Sequence, residues 1–467
     1  MPLRPVSRLL PPLLALAAAA LAWPAPAAAH GLVQRANLPI PEWLFGWAAG
    51  VVLVVSFVAL AVAWPQPRLE RPAWRPLPWG LGRVLAGRPV EVLGGGLGVA
   101  LLAVVLVAGY VGPQDPAANL APTFLLITFW VGTAFASALL GDVFRLLNPW
   151  RALGRATGAI VRRARGGRPV PVRPYPARLG HWPAALGLLA FSWVELASGW
   201  AERPGALATA ALAYSAVTLA AQAVFGVEAW TRRGEGFSVY FGFLARLSPF
   251  ETREGEVGLR PPLGGLARLE PLAGTVALVA VMIGTVTFDG LTQGPLWRGL
   301  AGAEAGAGAQ TLGILACVLA AGGAYALGVA GIRSVAPGTS GERLRRGFVH
   351  SLVPIALVYV AAHYLTFLLF EGQAIAYLAS DPFGRGWDLL GTAAAGIDFG
   401  VISQNQAWYA QVGLVIAGHV AGLVLAHDRA LVLFEGSRAA VRSQYWMLGI
   451  MVGFTTLALW LLAQAGA

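Results

Sequence analysis

The chain has 467 residues, 57% of them hydrophobic and 12% charged, with a mean hydropathy of +0.66. Those values lie outside the range of soluble globular domains, and apolar runs recur that are long enough to cross a hydrocarbon core of roughly 30 Å as helices. The formal net charge of +11 comes from arginine alone, spread over short links between apolar runs, which indicates membrane orientation rather than nucleic-acid binding; a chain without lysine has no P-loop, and no nucleotide cofactor is expected.

In chain order, Arg4 and Arg8 precede an apolar stretch over 9–23, and Ala27 and Ala29 occupy the small-residue positions of a cleavage site. This pattern predicts a signal peptide over 1–29 and a single integral membrane domain over 30–467 that begins at His30. The hydrophobic spans that follow are 44–64, 92–112, 123–144, 182–200, 206–228, 271–291, 309–331, 347–370, 407–426 and 445–464. The predicted fold class is therefore all-α, a polytopic transmembrane helical bundle of about ten helices whose main partner is the lipid bilayer.

Arginine distribution sets the expected orientation. The links 65–91, 145–180, 229–270, 332–346 and 427–444 hold 27 arginines, whereas the alternate links hold only Arg35, Arg203, Arg298 and Arg385. The positive-inside rule then places the mature N-terminus and the C-terminus outside a bacterial cytoplasmic membrane. Trp43, Trp47 and Trp64 bracket the first span as interfacial anchors, and the link 145–180, rich in arginine, proline and glycine, is expected to lie against anionic headgroups. Gly94 with Gly98, and Gly418 with Gly422, have the spacing that lets helix backbones approach closely. The long outside link 372–406, with Asp381, Asp388 and Asp398, is a candidate lid or re-entrant segment over an outward-facing cavity.

Ionisable groups inside a bilayer are costly unless paired or hydrated, so each is a candidate for function. Counting along the helices, Glu195, Asp289, His363 and Glu371 fall in an outer layer together with His30, while Asp142, Glu228, His350, His419 and His427 fall in an inner one. Imidazole and carboxylate suit a transition metal such as copper or zinc, and a free N-terminal His30 would add an amine to its ring. The outer-layer expectation is a metal site of His30, His363, Glu195 and Asp289, with Glu195, His363 and Glu371 as catalytic groups. For the inner layer, His350 and His419 come out at comparable depths on antiparallel spans and are candidates for a proton relay or a second site. Asp142 is expected to pair with Arg145 and Glu228 with Arg232, while His427, followed by Asp428 and Arg429, reads as a hydrated boundary residue. The lone cysteine, Cys317, lies mid-span and offers no thiolate cluster.

Three segments carry a resemblance: HGLVQRANLPIPEWLFGW over 30–47, GDVFRLLNPWRALGR over 141–155 and GHVAGLVLAHDRA over 418–430. Together they resemble a family of polytopic actinobacterial membrane proteins named fenitrothion hydrolase, and the resemblance runs the length of the mature chain. It implies hydrolysis of an organophosphate triester. With no lysine and no HxH pair in the sequence, such a centre would have to use the outer layer, with metal-bound water as nucleophile. The expected function is thus an outward-facing, metal-dependent hydrolase. The alternatives are a transporter coupled to protons or metal ions, acting on an unidentified small molecule or ion, and a structural or assembly protein.

Overall fold

In a computed structural model the described residues are 42–71, 73–302, 305–335 and 338–464. The expected signal peptide and His30 lie outside them. The fold is all-α, and nine helices among the described residues are long and apolar enough to span a membrane. The protein is thus a multi-pass membrane protein. The main helices in chain order are α1 (Glu42–Ala63), α2 (Arg88–Val111), α3 (Leu120–Leu140), α4 (Pro149–Ala164), α5 (Trp182–Leu196), α6 (Pro204–Phe225), α7 (Gly236–Ala245), α8 (Thr275–Thr292), α9 (Ala307–Val335), α10 (Val353–His363), α11 (Gln404–Leu433) and α12 (Tyr445–Gln464).

One expected span is shorter than it reads. The run 182–200 yields α5, whose 15 residues reach about 22 Å. The helix stops at Ala197, and Gly199 then takes a left-handed φ of 66°, a conformation that cannot extend a right-handed helix. A second departure lies in 229–270, read from sequence as an arginine-bearing inside link. It contains α7, with Phe237, Val239, Tyr240, Phe241, Phe243 and Leu244 all buried. Its rings pack edge-on or stacked against Phe129, Trp130, Phe144, Trp150, Phe191 and Tyr214. A ten-residue helix falls below the length at which hydropathy marks a span, and Arg232, Arg233 and Arg246 flank it. Glu235, itself buried, caps it by accepting from the backbone N–H groups of Phe237 (2.9 Å) and Ser238 (2.8 Å) and from the hydroxyls of Tyr214 and Ser238.

Arginine-rich links converge at one end of the bundle. A small antiparallel sheet in the order β1-β3-β2 joins β1 (Arg75–Pro76) from the first link to β2 (Phe250–Arg253) and β3 (Glu256–Leu259) from the third, with Arg75 opposite Leu259 and Arg253 opposite Glu256. Glu254 and Gly255 turn the hairpin, both at positive φ, as a tight two-residue connection requires. From the last link, Arg429 reaches Glu70 at 2.9 Å and the Ala267 carbonyl.

The segment 141–155 forms a second knot at this end. Asp142 accepts from the Arg145 backbone N–H (3.1 Å), and Asn148 caps α4 by accepting from the Arg151 N–H. Asp142 therefore acts as a helix cap through the backbone, where the sequence suggests an ion pair with the Arg145 side chain. Trp150 donates to the Ser215 hydroxyl on α6. Buried Arg151 pairs with Glu91 (2.7 Å) and Glu228 (3.3 Å), and Arg155 bridges the same two carboxylates at 2.7 and 2.6 Å. Glu228 thus pairs with arginines of α4, while Arg232 donates to its backbone carbonyl.

Burial pushes the Glu228 carboxyl up, but Arg151 and Arg155 pull it down and outweigh burial, so it titrates below its ordinary value. A depressed carboxylate stabilises the fold above its unfolded pKa and loses that contribution as pH falls through the folded value. Acid stability measured from pH 6 to 3 should therefore fall less steeply in Glu228→Gln than in the wild type.

The glycine pairs mark close helix approaches. A Cβ on Gly98 would sit 1.8 Å from the Leu147 carbonyl oxygen, and one on Gly94 2.6 Å from Leu146. On α11, a Cβ at Gly418 would meet Val358 at 2.3 Å and one at Gly422 the Ser351 carbonyl oxygen at 2.8 Å. Gly98→Ala should cost on the order of 2–3 kcal/mol through overpacking. Gly96, whose Cβ would meet nothing within 4 Å, should tolerate alanine, and thermal unfolding in detergent separates the two.

Candidate proton-binding cluster

Asp289 is the only ionisable residue on α8. The neighbouring hydroxyls of Thr285 and Thr287 are consumed within the helix, donating to Val281 and Ile283 carbonyls at 2.8 Å each. A Cβ at Gly284 would come within 2.5 Å of Val318, so α8 lies close against α9. Asp289 is thereby fixed in the interior, with 5% of its surface exposed.

Its partners come from the end of α10. Successive residues of a helix point about 100° apart, so His363 and Tyr364 would not ordinarily converge. Here the helix ends at His363, Tyr364 adopts φ −97° and ψ 12°, and a new short helix begins at Leu365. The break turns both side chains onto one oxygen: His363 Nε2 lies 2.8 Å from Asp289 Oδ2, and the Tyr364 hydroxyl donates to the same atom at 2.6 Å. Hydrogen bonds to an ionised acceptor are among the stronger kind. Glu195, part-buried on α5, lies within electrostatic reach of Asp289, Tyr240 and Tyr364.

Of the outer-layer candidates, the structure brings Asp289, His363 and Glu195 into one neighbourhood. His363 takes Asp289 as its direct partner. Glu371 opens a separate helical turn, Glu371–Ala374, and acts electrostatically on Tyr377. Among the described residues, no three His, Cys, Asp or Glu side chains are arranged to hold a metal ion. Tyr364 and Tyr240 join the neighbourhood unforeseen, because the tyrosine of an apolar run carries no distinguishing signal before its partners are known.

The inner histidines occupy separate positions. His350 is buried against the Gly347 and Leu425 backbone, whereas His419 is fully buried with Nδ1 at 2.8 Å from the Val415 carbonyl oxygen. Leu425 lies six residues beyond His419, about 9 Å along the helix axis, so the expected His350 and His419 pair does not form. His427 is also buried rather than hydrated: Nε2 lies 3.0 Å from the Trp64 carbonyl oxygen and Nδ1 3.2 Å from Gln444 Nε2. Next to it, Asp428 accepts from Trp64 Nε1 (3.0 Å) and from the backbone N–H groups of Arg68 (2.6 Å) and Leu69 (3.2 Å). His181, to which the sequence lends no role, is buried with Nδ1 2.9 Å from the Thr275 hydroxyl; burial, with Arg246 and Arg233 nearby, pushes it down to about 4.

The long link 372–406 is tied to itself. Asp381 accepts from the Arg385 and Gly386 N–H groups, Asp388 from the Ser380 hydroxyl and the Ala393 N–H, and Gln373 holds the Asp398 backbone from both sides. The carboxylates of Asp381 and Asp388 thereby serve loop structure.

Comparison with protein-family models, with curated protein sequences and with solved structures finds no match. Fold and site together define an all-α, multi-pass membrane protein with a buried carboxylate, imidazole and phenol cluster.

Proposed function

We propose that the protein is a proton-translocating transporter of a bacterial cytoplasmic membrane, with the mature N-terminus and the C-terminus outside, and that Asp289 is its proton-loading group. The observation that carries this reading is the convergence of His363 Nε2 and the Tyr364 hydroxyl on one buried Asp289 oxygen. Ionisable groups inside membrane bundles pair with one another and mark proton paths, and histidine exchanges protons near neutral pH. Glu195 provides a second carboxylate among which a proton can be shared. Orientation rests on the arginine bias and on the meeting of arginine-rich links at one end of the bundle.

A hydrolytic metal centre at His363 would have to use Nδ1, because Nε2 is engaged with Asp289 Oδ2, and among the described residues no three His, Cys, Asp or Glu side chains converge to complete it. The full-length protein reconstituted in liposomes under a potassium-valinomycin potential should carry protons, read by an entrapped pH dye, several-fold faster than protein-free vesicles. Flux equal to that control, together with zinc-dependent hydrolysis of an aryl dialkyl phosphate triester, would reject the transporter and favour the enzyme that the family resemblance implies.

A further inference from the structure

Two histidines on neighbouring helices each keep one ring nitrogen as an acceptor, and a cavity bordered by His363 and Val415 lies one turn of α11 from His419. The Val415 carbonyl oxygen can only accept, so His419 Nδ1 carries the hydrogen in that contact. In the neutral ring His419 Nε2 is then a bare lone pair, fully buried and without a partner. His363 follows the same logic: Nε2–H donates to the Asp289 carboxylate, which leaves Nδ1 as the acceptor. Nδ1 and Cε1 lie on the side of Gly290, at 3.8 and 3.9 Å from where a Cβ would stand.

On that side is a cavity of about 20 Å³ whose wall includes Gly290, Tyr359, Ala362, His363, Val415 and Leu461. A volume of this order admits a water molecule. His419 lies one turn along α11 from Val415, and its ring centroid is 6.4 Å from that of Tyr359. The Tyr359 hydroxyl is already engaged, donating to the Phe454 carbonyl, so it does not supply the missing donor. Among the described residues, Glu195 faces the Asp289 side of the cluster, the described side chains of α1 include no ionisable group, α12 carries only Tyr445 at its start, and His427 and Asp428 stand two turns further along α11.

We propose that this cavity binds water that relays protons between His363 and His419, making His419 the next proton-accepting group after the Asp289 cluster. When Asp289 is protonated, its hydroxyl donates to Nε2 of the other neutral tautomer, which carries its hydrogen on Nδ1, and transfer of that proton gives an imidazolium paired with the Asp289 carboxylate. Its Nδ1–H donates to the cavity water, the water passes a proton to His419 Nε2, and His363 returns to the neutral ring. No atom or electron is left unaccounted for, and the water is regenerated. The relay rests on the proton-translocation reading and adds to it a direction through the bundle, from the Asp289 level toward the arginine-rich end.

The test uses two substitutions in the full-length protein in liposomes. Gly290→Ala is well suited because its Cβ would make only ordinary contacts, with Leu461 at 3.7 Å and His363 at 3.8 Å, while occupying the cavity. His419→Gln removes the titratable acceptor. Voltage-driven proton flux is expected to fall at least tenfold in each, while the carboxyl infrared bands of Asp289, identified by their loss in Asp289→Asn, persist in both. Wild-type flux in Gly290→Ala and in correctly folded His419→Gln would overturn the relay and leave Asp289 as the loading group. Absence of flux in the wild type itself would overturn both readings.

Discussion

Asp289→Asn should abolish voltage-driven proton flux, by a hundredfold or more, in a protein that still folds. Asparagine is nearly isosteric and keeps an oxygen that can accept from Tyr364 and His363, so the expected loss of stability is only about 1 kcal/mol. What disappears is the titratable oxygen on which both donors converge. Asp289→Ala should behave differently. It leaves the His363 ring and the Tyr364 hydroxyl without their acceptor in the interior, at roughly 1–3 kcal/mol for each unsatisfied group. Flux in liposomes and thermal unfolding in detergent, measured on both variants, separate a proton-handling role from a purely structural one. Near-normal flux in the asparagine variant would remove Asp289 from the mechanism.

The second large effect is structural and lies at the other end of the bundle. Asp428, 1% exposed, accepts from Trp64, Arg68 and Leu69 and so fixes the chain as it leaves α1. Asp428→Ala should cost roughly 3–5 kcal/mol, because it leaves three neutral donors without their acceptor at about 1–3 kcal/mol each. Asp428→Asn should cost less, since it retains one acceptor oxygen for these donors. Chemical unfolding of the two variants in the same detergent provides the comparison, and an alanine variant within 0.5 kcal/mol of wild type would show that the latch contributes little.

Much of the architecture was legible because lipid imposes a single strong rule on length and hydropathy. The boundaries of α1, α2, α6 and α12 fall within a few residues of the sequence reading. Elements shorter than the bilayer escaped it: α5 reads as a full span, and α7 hides among arginines although nearly all its side chains are interior. At the cluster, the sequence indicates the depth of Asp289, Glu195 and His363 but not that α10 breaks after His363. That break depends on tertiary packing, and it alone allows consecutive side chains to share an oxygen. The inner pair failed for a related reason, since depth counted from expected boundaries accumulates error over several turns. His427 and Asp428 read as boundary residues because sequence shows their polarity and not the indole and backbone groups that cover them.

The three-stranded sheet has a mechanical consequence. Because β1 and β3 come from links more than 170 residues apart, their pairing clamps the chain ahead of α2 to the connection between α7 and α8. Together with Arg429 on Glu70 and Asp428 on the Trp64 turn, it makes the arginine-rich end a fulcrum. Under the transport role proposed above, rocking of the helices would open like tongs at the far rim, with the joint held shut by strands and ion pairs.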